Sequence, residues 1–321
     1  LFIFKEKINI NFLYIFLIFM LGFFSDIRLI KSAKFRFFLQ IILVSLFVIF
    51  FSIEENISTL NISNVRLSFL DYFLEFKFFS YIFVIFCFLI LINGTNFIDG
   101  LNGLALGYYL VITLIAYSIS PSGFYNKFSM IINDNQLILF SIFLFILLIF
   151  NFFNKLYIGE SGSYLLAIVS GTFVILLYKN TINISPSFII LMLWYPCFEN
   201  LFSIIRKFRI KKSPMKPDNK HFHQLLFFFL KKDFKFKNNS ANNLSSLMII
   251  FYNLIIFVLA SLDIYNTQYQ ILLIILNIII YIFFYVLNLI YEPKISRYLH
   301  IVCINIYNLF EVFFCHARHN R

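Results

Sequence analysis

Two amides and a carboxylate at three-residue spacing, Asn93, Asn96 and Asp99, form the densest chemical patch in this chain. On a helix that spacing lines them along one face. Such a trio suits a hydroxylated, phosphorylated ligand or an oxygen-seeking cation such as Mg²⁺. Glycines at positions 94, 100, 103 and 107 would let a ligand come close to the backbone. A capped helix end interrupted by glycines would leave the same pattern. A second patch, Gly159 to Ser163, opens a predicted helix, where free N–H groups and the helix dipole attract anions. Glu160 belongs there if a cation bridges it to a phosphate; plain N-terminal capping by Ser161 or Ser163 is the alternative.

His221 and His223 flank Phe222 in the most basic stretch of the chain. Paired imidazoles among lysines and arginines suit pyrophosphate binding or proton transfer near neutral pH. A solvated basic loop is the competing reading. No cysteine lies close by in sequence to complete a zinc site. Asp26 directly follows an apolar run, where a charge also serves simply to end a membrane helix. Glu199 precedes Arg206 by seven residues, about two helical turns. A carboxylate that deep in hydrocarbon is expensive, so it is expected to face the bundle and pair with Arg206, Lys207 or a neighbouring helix.

The elements that must hold these groups are membrane helices. Hydrophobic residues make up 61% of the 321, Phe alone accounts for 48, and 13% are charged, which excludes a water-soluble fold. Nine apolar stretches fit a spanning helix of about 20 residues: 8–24, 37–53, 78–92, 104–120, 137–153, 164–177, 187–205, 244–262 and 269–290. Within them Glu199 is the single charged side chain. The predicted fold is therefore an all-α, polytopic bundle forming one integral-membrane domain over 1–321. Four polar patches interrupt it, at 25–36, 93–103, 154–163 and 206–243, and parity puts all four on the same side of the bilayer.

Charge agrees with that topology. The four patches and residues 291–321 hold 20 of the 26 Lys and Arg residues, a positive-inside bias that makes this side cytoplasmic. The net charge of +11 therefore needs no nucleic-acid partner. Cys87, Cys197, Cys303 and Cys315 have no paired or metal-binding spacing and read as packing residues. Residues 54–77 form an outer loop whose stretch from Val65 to Phe76 is expected to lie along the interface. Leu299–Cys315 reads as an interfacial helix. The start at Leu1 reads as the cut edge of a longer protein. The pattern leaves a homodimer open.

In this order, Asp26 behind the first helix, N-x-x-N-x-x-D-G from Asn93, G-E-S-G-S from Gly159 and P-D-x-x-H-x-H ending at His223 resemble the polyprenyl-phosphate N-acetylhexosamine-1-phosphate transferases. That family includes the enzymes that initiate O-antigen and teichoic-acid synthesis, and phospho-MurNAc-pentapeptide translocase. The single H-x-H is similar to the O-antigen-type branch. The resemblance implies transfer of a HexNAc-1-phosphate from a UDP-N-acetylamino sugar to undecaprenyl phosphate at the plasma membrane, with UMP released and Mg²⁺, or Mn²⁺, as cofactor. It implies catalytic roles for Asp26 and Asp99, metal binding by Glu160 and Asp26, and substrate binding by Asn93, Asn96, Asn151, His221 and His223. Ser25, Asn102 and Glu160 stand where the family has Asp, and Gln224 where it has a further His. A polytopic transporter or flippase, or a catalytically impaired paralogue, are the competing readings; nearly charge-free spans with polar groups at their ends argue against transport.

Overall fold

A computed structural model describes residues 10–54, 65–119, 134–181, 183–213 and 219–290. The regular structure of these residues is entirely helical. In chain order the helices are α1 (Ile10–Asp26), α2 (Ala33–Glu54), α3 (Ser68–Leu74), α4 (Lys77–Ile98), α5 (Leu104–Ile119) and α6 (Asp134–Phe152). They continue as α7 (Gly159–Asn180), α8 (Pro186–Met192), α9 (Trp194–Arg209), α10 (Phe222–Asp233), α11 (Asn238–Ser261) and α12 (Thr267–Ile290).

Each of the nine predicted stretches coincides with one of these helices or with the α8–α9 pair, but nine crossings are not shown. Five helices, α2, α4, α7, α11 and α12, are long and apolar enough to span a bilayer. A sixth span forms if α8 and α9, which meet at 75°, count as one broken segment. Apolar helix in α1, α5 and α6 runs for only 10–17 residues, at or below the lower limit for crossing about 30 Å of hydrocarbon. The chain is a multi-pass membrane protein with five or six candidate spans among the described residues.

The stretch 206–243, expected to be a basic loop, contains the 12-residue helix α10. The reason is local: Leu225, Leu226 and Leu230 recur on one face of that segment and are buried, and the helix packs on α11 and α12. In α3, Phe69 and Tyr72 are exposed while Leu74 is buried, an amphipathic pattern. The expected interfacial helix at Leu299–Cys315 lies outside the described residues, as do Cys303 and Cys315.

Without a hydrophobic force to drive helices together inside lipid, small residues decide where backbones can touch. A Cβ on Gly22 of α1 would lie 2.5 Å from the Cα of Ser161, and one on Gly94 of α4 would collide with the Pro196 carbonyl of α9. These contacts seat α1 on α7 and α4 on α9, two of the closest helix pairs in the bundle. At the break between α8 and α9, the Tyr108 hydroxyl of α5 donates to the Met192 carbonyl (2.8 Å) and accepts from the Tyr195 N–H (3.3 Å). It thereby serves backbone groups freed by the bend, as backbone buried in a membrane requires.

Gly94→Ala is expected to destabilise the fold by about 1–3 kcal/mol through overpacking. Unfolding of the full chain in mixed micelles measures this, and an unchanged transition would contradict the packing described.

Candidate functional site

The C-terminal ends of α1, α4 and α9 meet the N-terminal ends of α2, α7 and α10, so the four polar patches gather at one end of the bundle. The hub is Asp26. Its Oδ1 accepts from the Glu160 N–H (2.9 Å), and its Oδ2 from the Ser161 N–H (3.0 Å) and the Ser161 hydroxyl (2.8 Å). The anion on the N-terminus of α7 is thus a carboxylate from α1, satisfying N–H groups that a helix leaves free in its first turn. Ser161 and Ser163 do not cap it: no side-chain cap bond forms within the segment. Gly159, at φ +66°, turns the chain into the helix, and a Cβ there would sit 2.7 Å from Asp26 Oδ2. Only glycine takes that backbone conformation at little cost while leaving the carboxylate room.

Glu160 faces a cation of the protein itself. Its Oε1 accepts from Arg36 Nη1 at 2.6 Å and its Oε2 from the Tyr164 hydroxyl at 2.8 Å. Arg36 Nη1 also donates to the Ser25 hydroxyl at 2.5 Å. Asp99, at the C-terminal cap of α4, is partly buried beside Asp26. Burial, reinforced by the Asp26 charge and opposed by the Gly159 N–H, pushes its carboxyl up to about 8. Asp99 is therefore mostly protonated at neutral pH.

The resemblance implies Asp26 and Glu160 as donors for Mg²⁺. Both Asp26 oxygens serve the start of α7, and both Glu160 oxygens serve Arg36 and Tyr164. No group of three His, Cys, Asp or Glu converges among the described residues. A guanidinium 2.6 Å from Oε1 and a divalent cation on the same oxygen repel one another, so the residues as arranged do not fit Mg²⁺.

Beside this cluster opens a cavity of about 590 Å³. Its wall includes Arg36 and Gln40 of α2, Asn93 and Asn96 of α4, Lys207 of α9 and His221 at the cap of α10. Both N–H groups of Asn93 are committed, to Gln40 Oε1 (3.1 Å) and the Leu89 carbonyl (2.8 Å), which leaves its oxygen for a ligand donor. The Asn96 oxygen lies 3.4 Å from the Ser163 hydroxyl, whose single proton also has the Glu160 carbonyl at 3.1 Å.

The polar face of α9 turns inward. Glu199, Ser203 and Lys207, at four-residue spacing, are buried, while Ile205 and Phe208 face outward. That stripe at helical period was a readable signal for Ser203 and Lys207 as cavity residues, which sequence reasoning had not assigned to the site. Arg36 was missed as well: nothing in sequence separates it from the other basic residues of its patch.

Of the sequence-predicted residues, Asn93, Asn96 and His221 line the cavity, whereas Asp26, Asp99, Glu160, Asn151 and His223 do not. Asn151 is buried, with its oxygen accepting from the Gly103 N–H and its amide donating to the Leu156 carbonyl at 2.6 Å. It ties two loops together. His223 is fully buried, its ring stacked on His221 at 5.6 Å. Neither ring nitrogen has a hydrogen-bond partner among the described residues. A Cβ on Gly100, which lines the cavity, would lie 2.8 Å from its Nε2. Burial drives this imidazole down to about 4 against the pull of Glu199, with His221 adding to the fall, so the ring is neutral.

Of the partners expected for it, Glu199 takes neighbouring helices rather than Arg206. It accepts from His221 Nδ1 (2.9 Å), the Phe222 N–H (3.2 Å) and the Tyr281 hydroxyl (2.7 Å). Arg206 instead donates to the Lys220 carbonyl and the Tyr285 hydroxyl. The 199–206 spacing puts the two side chains about two turns apart on one helix, beyond direct reach.

Residues 9–178, which supply Asp26, Arg36, Asn93, Asn96, Asp99 and Glu160, match the model of glycosyl transferase family 4. The chain belongs to glycosyl transferase family 4. Two curated relatives share a 145-residue stretch with this family member. One is the undecaprenyl-phosphate alpha-N-acetylglucosaminyl 1-phosphate transferase of Thermotoga maritima, 29% identical over 45% of this chain and 42% of its own length. The other is the probable undecaprenyl-phosphate N-acetylglucosaminyl 1-phosphate transferase of Bacillus subtilis, 30% identical over 43% of this chain and 37% of its own. The match therefore covers less than half of each relative. The basic stretch with His221 and His223 lies beyond the family match and reaches the site through α9, α10 and α12.

Because the Asp99 carboxyl is raised, the folded state holds a proton that the unfolded chain releases near 3.8. Its contribution to stability is full at pH values below that and is lost as pH rises toward about 8. Melting temperature of the wild type is expected to fall between pH 6 and 9 relative to Asp99→Asn. Parallel profiles would show that Asp99 carries no such shift.

Proposed function

We propose that this chain transfers a sugar 1-phosphate, N-acetylglucosamine 1-phosphate in the first instance, from a UDP-sugar to undecaprenyl phosphate. The observation that carries the reading is the cavity wall: three basic groups, Arg36, Lys207 and His221, face the two amides of Asn93 and Asn96. A second cavity of about 420 Å³ shares Phe86 and Ile90 with the first and is lined by apolar groups such as Phe83, Leu201 and Ile278. The pair offers a charged compartment for a diphosphate next to hydrocarbon space for prenyl units. The names of both relatives point to the same acceptor and sugar.

In this mechanism the acceptor phosphate oxygen attacks the β-phosphorus in line. A P–O bond forms, the bond to the bridging oxygen breaks, and UMP leaves with that electron pair. An acceptor phosphate with a second pKa of about 6 is already largely ionised at pH 7, so no strong base is needed. Phosphoryl transfer leaves the protein mainly positioning and charge compensation to perform. Arg36, Lys207 and His221 compensate the diphosphate. Asn93, as acceptor, and Asn96 hold the uridine or sugar hydroxyls. Asp99, protonated below about 8, can approach a phosphate without like-charge repulsion, and Asp26 keeps the α7 N-terminus in place beside it. His223 adds a neutral imidazole next to Gly100. The Mg²⁺ or Mn²⁺ implied by the resemblance enters no step, because the donors as arranged do not fit it. The cavity end of the bundle is the cytoplasmic side on this reading, in keeping with the positive-inside bias.

The test is release of UMP from UDP-GlcNAc with undecaprenyl phosphate in proteoliposomes. Arg36→Ala and Lys207→Ala are each expected to lower the rate by about 10²–10³-fold, the range seen on removing one group aimed at developing charge. No UMP from any UDP-HexNAc would defeat the proposal. The Arg36–Glu160 ion pair favours one rival, a paralogue that keeps the fold without turnover. That rival predicts an inert wild type whose activity appears in Glu160→Asp.

A further inference from the structure

His221 is firmly held in the cavity wall, and the carboxylate that holds it is not on the wall. Its ring lies between Phe97, with centroids 4.9 Å apart, and His223, nearly parallel at 15°. Its Nδ1 meets Glu199 Oε1, and the side chains of the two are 6% and 1% exposed. The other Glu199 oxygen accepts from Tyr281 of α12, whose ring packs against Phe198, Phe202 and Phe222. One turn on, the Tyr285 hydroxyl donates to the Lys220 carbonyl at 3.1 Å. Two tyrosines of the last described helix thus fasten the segment that carries His221.

A buried carboxylate at Nδ1 requires a proton on that nitrogen. The partner at one ring nitrogen sets what the other can do, so Nε2 is the atom left for a ligand. An imidazole free to flip would offer either nitrogen at random. We infer that Glu199, anchored by Tyr281, is a positioning residue that presents Nε2 of His221 to the phosphate groups of the donor. The inference rests on the transfer reading above. It extends the site to α12, a helix outside the residues that match the family. Glu199 does not itself line the cavity and reaches it through His221. With Nδ1 held by Glu199, Nε2 is the ring atom that meets an arriving phosphoryl oxygen.

The experiment uses the full chain in detergent or proteoliposomes with Glu199→Gln, Glu199→Asp, Tyr281→Phe, His221→Ala and the double variant Glu199→Gln/His221→Ala. Two readouts are taken. In spectra of protein carrying ¹⁵N-histidine, the wild type is expected to show a protonated Nδ1 signal that disappears in His221→Ala and moves in Glu199→Gln and Tyr281→Phe. In UMP release, Glu199→Gln is expected to fall about 10- to 100-fold, as for outer partners of functional histidines, with kcat changing more than KM. Glu199→Asp is expected to recover part of the loss. The double variant is expected to be no slower than His221→Ala, since residues acting as one unit are not additive. Additive losses, or an unprotonated Nδ1 on His221, would overturn the inference. If Glu199→Gln fails to fold, Tyr281→Phe carries the same two comparisons. A wild type that shows the Nδ1 signature but releases no UMP would defeat the transfer reading while leaving the positioning intact.

Discussion

The site depends on one carboxylate meeting one helix end. Asp26, at the last residue of α1, accepts three hydrogen bonds from the first turn of α7. A membrane helix that ends among its neighbours must have its free N–H groups answered by protein, and here the answer comes from 134 residues away. With α7 so fixed, Glu160 turns toward Arg36, Asp99 is brought beside Asp26, and Ser163 reaches Asn96. Gly22 and Gly159 are the conditions for this meeting, because a side chain on either would drive α1 and α7 apart.

The charged groups that result are distributed by environment more than by identity. Asp26 satisfies backbone, Glu160 satisfies a guanidinium, and Asp99, crowded by a like charge and by burial, holds its proton. Arg36, Lys207 and His221 on its wall point the cavity toward anionic ligands. Lys207 and Ser203 reach it because α9 turns its polar stripe inward. The α8–α9 pair meets at 75°, and α9 lines the cavity with Ser203 and Lys207. Tyr108 makes the bend affordable by bonding the Met192 carbonyl and Tyr195 N–H on either side of it.

Much of the fold was legible because its signal is local. Each apolar stretch became a helix, and the Asn93–Asn96–Asp99 spacing lies on the last turns of α4 and its cap. Crossing was less legible, since α1, α5 and α6 are apolar helices whose length falls short of an ordinary span. Helix α10 was hidden by its basic flanks, although Leu225, Leu226 and Leu230 already marked a buried face. In the site, the types of residue were readable while their partners were not. Glu199 was expected to pair with Arg206, Lys207 or a neighbouring helix, and only the fold picks out His221 and Tyr281. Asn151 was expected at a ligand and is spent on the Gly103 and Leu156 backbone.

By itself the sequence determined that this chain is helical and membrane-bound, with its charged groups gathered mainly at helix ends, because hydropathy and spacing act within a single segment. The tertiary structure decided which of those groups meet: Asp26 with α7, Arg36 with Glu160, His221 with Glu199 and α12. Those pairings join residues up to 135 positions apart, and whether two side chains touch depends on how closely helices pack. A backbone collision at one glycine can change that, and no local pattern records it.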